Sequence, residues 1–281
     1  KLGCLACHAI GGAGGRVGPD LISLGASAPV DYIANSLLDP NSKVKENYHS
    51  LVVVTKKGKV VTGIKLRQTD TELVLRDSND REIAVPRKSI DEQVIGTSLM
   101  PAGLSEILTR DELVDLVSFL SALGKPGPFA ISRRPTARRW RVLADSQAAR
   151  FRLRRTRDGQ AATDDEAFTW TPRYATVGGQ LPLSDLPQLT VRDRKLSVVR
   201  CEIEVIAGGS IAIAVGNTAG LKAWIGTDPL PLKQVTSRTL PKGRHRLTLV
   251  VDRSVRKAPL SLIIDDTLSA KTTNARFVTG K

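Results

Sequence analysis

Hydrophobic and polar residues follow two different periods along this chain. In residues 28–38 and 109–125 apolar side chains recur every three or four positions, which predicts two amphipathic helices. Thr109 and Glu112 have the spacing of a capping box, so the second helix should begin there. Between the helices, residues 50–86 alternate between apolar and polar positions, and turn sequences divide them into four short strands. The pattern therefore predicts helical segments with a small β-meander or barrel inserted between them.

The pattern changes after Pro126-Gly127-Pro128. Short alternating runs then continue to the end of the chain, separated by turn sequences such as NTAG, DPLP and PKG, which is typical of an antiparallel β-sandwich. The alternation in RFRLRR, residues 150–155, also indicates a strand with one charged face. We predict an α + β multidomain chain with the following parts: a helical domain at 1–126 with the β-module inserted at 48–96, a linker at 127–137, and a β-sandwich at 138–281.

Charge supports a division into two parts. The net charge is +14, yet residues 1–126 hold equal numbers of basic and acidic side chains, so the whole excess lies beyond them. Ten arginines and a single acid, Asp145, occupy residues 133–157. This stretch predicts a polyanionic glycan or an acidic protein as partner, and nucleic acid is disfavoured because Trp140 and Phe151 are its only aromatic residues. No apolar run reaches the roughly 18 residues of a membrane span.

Thiol and imidazole groups are concentrated at one point of the chain. Of three cysteines and three histidines, Cys4, Cys7 and His8 stand together in CLACH. The C-x-x-C-H spacing is a signature of c-type haem attachment, in which the thiols add to the two vinyl groups and the histidine ligates the iron. A thiol redox site and a structural zinc site are the alternatives. No βαβ unit follows the motif, however, and Cys201 is the only other cysteine.

A second axial ligand for the iron has few candidates. Met100 is the only methionine in the chain, and it stands in a loop before Pro101, which favours an extended backbone. We therefore expect Met100 on the iron opposite His8, with His49 as the runner-up. The alternative is that Met100 only fills a gap in the core.

The ordered motifs CLACH, GGRVGPDL, SLMPAGL and LTRDELVDLVSFLSAL resemble a class I c-type cytochrome domain. The inserted β-module is similar to one subfamily of haem-binding modules, which lie at the end of large secreted bacterial proteins, often behind a dehydrogenase-like β-propeller. The resemblance implies a small all-α cytochrome c domain. It also implies that the helix usually preceding the haem motif is missing, and that the chain begins inside a domain.

The resemblance also implies roles for individual residues. It implies one covalent haem c with a histidine and a methionine on its iron, and a backbone carbonyl that orients the histidine. The residues are Cys4 and Cys7 for the thioethers, His8 and Met100 as axial ligands, Pro19 for the carbonyl, and Leu21 and Leu99 against the haem.

Beyond residue 138, GLKAWIGTDPLP and LPKGRHRLTLVVD are similar to jelly-roll or PA14-like modules, which often bind carbohydrate. The leading expectation is one-electron transfer by a periplasmic or secreted protein that is not itself an enzyme. Its partner would be a redox protein or an N-terminal dehydrogenase-like domain. The competing expectation is an extracytoplasmic binding module with a structural or sensory haem. Peroxidase-like chemistry after release of Met100 ranks last.

Overall fold

A computed structural model describes residues 2–131, 134–156, 158–265 and 274–280. The chain separates into two compact units, the first comprising Lys1–Ala130 with Gly280–Lys281 and the second Ile131–Thr279. Within the described residues there are eighteen β-strands and four α-helices. No helix in these ranges is both long and apolar enough to cross a lipid bilayer.

The first unit holds three short helices beside the chain start. They are α1 (Leu24–Ser27), α2 (Val30–Leu38) and α3 (Arg110–Ala122), and the two-residue strands β1 (Ala9–Ile10) and β2 (Ala13–Gly14) pair antiparallel before them.

Helix α3 packs against both α1 and α2. The predicted capping box at its start is confirmed, because Thr109 accepts a hydrogen bond from the Glu112 backbone and the Glu112 side chain accepts one from the Thr109 backbone. The crossing with α1 is close enough to require glycine, since a Cβ at Gly25 would lie 2.1 Å from the Ser121 carbonyl oxygen.

The remainder of the first unit is a five-stranded antiparallel sheet in the order β6-β5-β4-β3-β7. Four of its strands lie in the predicted meander. The fifth, β7, follows them and lies beyond the alternating segment that predicted strands. The strands are β3 (Ser50–Thr55), β4 (Val60–Gln68), β5 (Glu72–Arg76), β6 (Glu82–Pro86) and β7 (Ile90–Ile95). This sheet buries a core of its own, formed by Leu51, Val53, Val61, Leu73, Leu75 and Val85.

The second unit contains two antiparallel sheets and one helix, α4 (Gln147–Arg155). The larger sheet has eight strands: β8 (Arg139–Leu143), β9 (Trp170–Tyr174), β10 (Leu189–Val191), β11 (Arg194–Ala207), β13 (Leu221–Ile225), β14 (Asp228–Leu230), β16 (Gly243–Asp252) and β18 (Asn274–Phe277). The smaller sheet has three: β12 (Gly209–Val215), β15 (Val235–Leu240) and β17 (Leu262–Ile264).

The long strand β11 contributes to two separate cores because its side chains alternate between two faces. On one face, Val199, Cys201 and Ile203 pack in a cluster that includes residues of the smaller sheet. On the other face, Leu196 and Val198 pack in a cluster beneath α4. The larger sheet is therefore covered on both sides over part of its area.

The predicted fold class is wrong. It combined a small all-α cytochrome c domain carrying an inserted β-module with an antiparallel β-sandwich, whereas the described chain is mostly β-sheet, in several sheets. The helices of the first unit have 4, 9 and 13 residues, and the unit's clustered core belongs to a sheet. In the second unit, RFRLRR is helical rather than extended, because it lies within α4. This helix buries Ala149 and Leu153, which are four residues apart and therefore on one face.

Candidate functional site

The cysteine–histidine motif forms a tight turn at the start of the first unit. Residues Cys4–Ala6 form a single 3-10 turn, and the His8 amide donates to the Cys4 carbonyl at 2.8 Å. Both thiols are free; Cys4 is exposed and Cys7 half-buried. The turn thus presents two reactive sulfurs and one imidazole within five residues.

The imidazole of His8 is held from one side. Its Nδ1 lies 2.9 Å from the Pro19 carbonyl oxygen. A carbonyl only accepts hydrogen bonds, so Nδ1 carries a proton, and in the neutral ring Nε2 then keeps its lone pair. Within the described part of the chain Nε2 has no hydrogen-bond partner. This is the tautomer that a metal-ligating histidine needs, with its other nitrogen fixed by a backbone acceptor.

A glycine-rich loop wraps closely around the motif. The Gly15 amide donates to the Leu5 carbonyl, and the Gly18 amide donates to the Cys7 carbonyl, both at 2.9 Å. A Cβ at Gly15 would lie 2.1 Å from the Ala6 carbonyl oxygen. A Cβ at Gly18 would lie 2.5–2.9 Å from three atoms of the His8 ring. Glycine is therefore required at both positions for the loop to seat the imidazole.

Asp20 closes this loop, a role that the sequence analysis missed. Its carboxylate accepts hydrogen bonds from the amides of Gly11, Gly12 and Ile22 at 2.7–3.0 Å. The signal was present in the GPDL motif, where an aspartate follows a pair of glycines by a few residues. In this motif only Pro19 and Leu21 had been given roles.

The other predicted site residues lie in the same unit. Leu21 is half-buried, and its amide donates to the carbonyl of Ala9, the residue after His8. Leu99 and Met100 are also half-buried, in the irregular segment between β7 and α3. The structure brings Pro19 into contact with His8, whereas the hydrogen bond recorded for Met100 runs from its amide to Ser98 Oγ at 3.1 Å.

The segment just before Met100 is hydrogen-bonded to the rest of the unit through two residues, Asn41 and Ser50, to which the sequence analysis gave no role. The Ser98 amide donates to Asn41 Oδ1 at 2.9 Å, just after α2 ends, and Ser50 Oγ donates to the Thr97 carbonyl. His49, the runner-up ligand, is exposed. The segment is therefore anchored at the point where the helices give way to the sheet.

These residues fit a covalent haem. The motif has two free thiols, an imidazole whose Nδ1 is already occupied, and a glycine cradle that a single Cβ would fill. In the described ranges no group of three or more His, Cys, Asp and Glu side chains is placed to hold a metal ion. Haem iron needs no such group, because the porphyrin supplies four nitrogens and the protein only the axial ligands.

Comparison with known proteins adds no assignment. No family model matches this chain, and no curated protein is significantly similar to it.

The arginine-rich stretch is divided between a strand and a helix. Arg139 and Arg141 lie in β8, whereas the arginines from 150 to 155 lie in α4. Arg138 is buried and donates to the Val177 carbonyl. Arg133 and Arg157 lie outside the described residues. The predicted glycan or acidic partner would meet separate groups of arginines rather than one charged strand.

Proposed function

We propose that this chain is a c-type cytochrome that binds one haem through Cys4 and Cys7 and transfers single electrons. The observation that supports it best is the His8 imidazole, whose Nδ1 hydrogen bond to Pro19 leaves Nε2 free beside two unpaired thiols. The likeness of the ordered motifs to c-type cytochromes supports the same function.

In this proposal each group has a defined task. Cys4 and Cys7 form the thioethers, which keep the porphyrin on the protein in either redox state. His8 binds the iron through Nε2, and the Pro19 carbonyl raises the basicity of the ring and fixes its orientation. Met100 would supply a thioether ligand, which would raise the reduction potential of the iron.

Electron transfer follows from this ligand set. With both axial positions filled by protein, the iron has no open site for a substrate, so the chain would pass electrons and not turn over a substrate of its own. A redox protein, or a dehydrogenase-like domain of a longer chain, would be the partner. Because haem of this type is attached outside the cytoplasm, we propose a periplasmic or secreted location.

Covalent attachment can be tested by mass. After expression with a haem-maturation system, the intact chain is expected to gain the mass of one haem and to absorb in the Soret region. The double substitution Cys4→Ala/Cys7→Ala should remove both signals, because no thioether can form. Cys201→Ala is the matched control and should keep them, since that thiol is buried in the second unit. A colourless, folded wild-type chain of unmodified mass would overturn the proposal.

Axial ligation by Met100 can be tested by spectroscopy. Ferric wild-type protein is expected to show the weak far-red charge-transfer band of a methionine-ligated haem. Met100→Ala should abolish that band and allow cyanide to bind at once. Ile107→Ala is the control, because it shortens an exposed apolar side chain in the same stretch between β7 and α3 and leaves the sulfur in place. Free binding of cyanide by the wild type, with no far-red band, would show that Met100 is not the ligand.

A further inference from the structure

A pocket of about 100 Å³ opens on the larger sheet of the second unit. Four arginines, two acids and two tryptophans are among the residues that line it: Arg139, Arg141, Arg200, Arg246, Asp164, Glu202, Trp140 and Trp170. The pocket is large enough to admit a compact polar group.

Strand register brings the arginines together. Arg200 of β11 pairs directly with Arg141 of β8 on one side and with Thr248 of β16 on the other. Arg246 lies two residues before Thr248 on β16 and therefore points to the same face. On this face β11 is apolar at Leu196 and Val198, beneath α4, and becomes charged at Arg200. The pocket therefore begins at the edge of the apolar cluster beneath α4.

Arg200 is buried at the base of the pocket, with 5% of its surface exposed. One of its terminal nitrogens donates to the Ala161 carbonyl at 2.7 Å and to the Thr163 carbonyl. Its guanidinium carbon lies 3.9 Å from the ring centroid of Trp170. These contacts fix the guanidinium plane, yet among the described residues its Nε has no hydrogen-bond partner, and the buried Nε of Arg246 has none there either. Two neighbouring buried donors thus lack acceptors.

Two acids line the pocket, the exposed Asp164 and the half-buried Glu202, against four arginines, so the pocket keeps an excess of positive charge. The Asp164 carboxylate accepts from Arg246 and, at 3.4 Å, from Arg200, while 76% of its side chain is exposed. The hydrogen bond from Arg246 lowers the pKa of Asp164. Burial, with the positive charge of Arg246, lowers the pKa of Arg200 to about 10, so Arg200 is still charged at neutral pH. In the described part of the chain Arg141 has no ion-pair partner.

We propose that this pocket is a binding site for a single oxyanion group, either a free inorganic anion or a sulfate, phosphate or carboxylate carried by a saccharide. Guanidinium groups present planar pairs of N–H donors that match the oxygens of such groups. The oxyanion would lie against Arg141 and Arg246 and take the position that Asp164 now shares. The remainder of a larger ligand would lie outside the pocket, beside the half-buried Trp170.

The site is tested by titrating the full chain with sodium sulfate and sodium phosphate at constant ionic strength, using calorimetry and tryptophan fluorescence. Arg141→Gln is expected to weaken binding roughly tenfold, because it removes one charge-assisted donor pair. Asp164→Asn should strengthen binding, since it removes the competing carboxylate. Arg154→Gln removes the same charge from an exposed position on α4 and should leave the affinity unchanged.

Three results would overturn the proposal. The first is that neither anion binds. The second is that Arg141→Gln and Arg154→Gln weaken binding equally, and the third is that Asp164→Asn abolishes binding.

A further experiment separates the two sources of the oxyanion. A sulfated disaccharide that binds at least tenfold more tightly than free sulfate identifies a saccharide ligand, and equal affinity identifies a site for the free anion. Neither outcome depends on the haem, because every residue of the pocket belongs to the second unit.

Discussion

Gly15→Ala is expected to destroy the loop that seats His8. The added Cβ would lie 2.1 Å from the Ala6 carbonyl oxygen and 2.7 Å from the Ala6 carbonyl carbon. Both are backbone atoms, so no side chain can move aside, and we expect a cost of about 3 kcal/mol in the stability of the loop. The amides of Gly18 and Leu21, which donate to Cys7 and Ala9, should lose their protection against hydrogen exchange. The fraction of the chain that carries haem should fall as well, because His8 is no longer held in place.

The control for this variant is Gly58→Ala in the same unit. Gly58 has a φ of +77°, and a Cβ there would meet nothing within 4 Å. The Gly58→Ala variant therefore places alanine in a strained backbone conformation but causes no clash, and we expect it to lose about 1 kcal/mol of stability. Full amide protection in the Gly15→Ala chain would show that the loop does not pack as closely as described. Measuring protection in the haem-free chain keeps this result independent of the proposed function.

Asp158→Asn is expected to destabilise the second unit by about 2 kcal/mol at neutral pH. The Asp158 side chain is fully buried, and its two oxygens bind Arg194 at 2.8 Å each and Lys222 at 2.8 Å. Asparagine keeps the shape and tolerates the φ of +76° at this position, so the change isolates the charge. Because Arg194 and Lys222 are partly exposed, water can hydrate them in the variant, and the loss stays below that of a fully buried pair.

The effect of Asp158→Asn should depend on pH. Burial alone would raise the pKa of Asp158, but hydrogen bonds from Arg194 and Lys222 outweigh it and hold the pKa below its usual 3.8. The ionised carboxylate therefore contributes stability above about pH 4, and that contribution is lost as the pH falls through the folded-state pKa. Wild type and variant should differ most at pH 7 and converge in acid.

Tryptophan fluorescence during urea unfolding measures this difference, because all three tryptophans of the chain, Trp140, Trp170 and Trp224, belong to the second unit. Asp145→Asn is the matched control; its ion pair with Arg150 is exposed on both sides and should be worth less than about 1 kcal/mol. A gap between wild type and Asp158→Asn that stays constant from pH 7 to pH 3 would contradict the electrostatic explanation.

Local chemistry made part of the first unit predictable. The capping box at Thr109 and the four strands between residues 50 and 86 depend on neighbouring residues, and both are present. The strand β7 was missed because most of its side chains are exposed and its partner β3 lies about forty residues earlier. Helix α4 was predicted as a strand because RFRLRR alternates over six residues. The Ser146 cap and the spacing of Ala149 and Leu153 were the better signal.

The motif from Cys4 to His8 could be identified from a short stretch of sequence, because thiols and imidazole on one turn need no distant residue to come together. The fold class, the Asp20 and Gly15 contacts that enclose the motif, and the group formed by Arg141, Arg200 and Arg246 depend instead on contacts between distant parts of the chain. These arginines lie on β8, β11 and β16, up to about a hundred residues apart, and strand register alone makes them neighbours. Register depends on the summed packing of whole strands, and no short stretch of sequence contains that information.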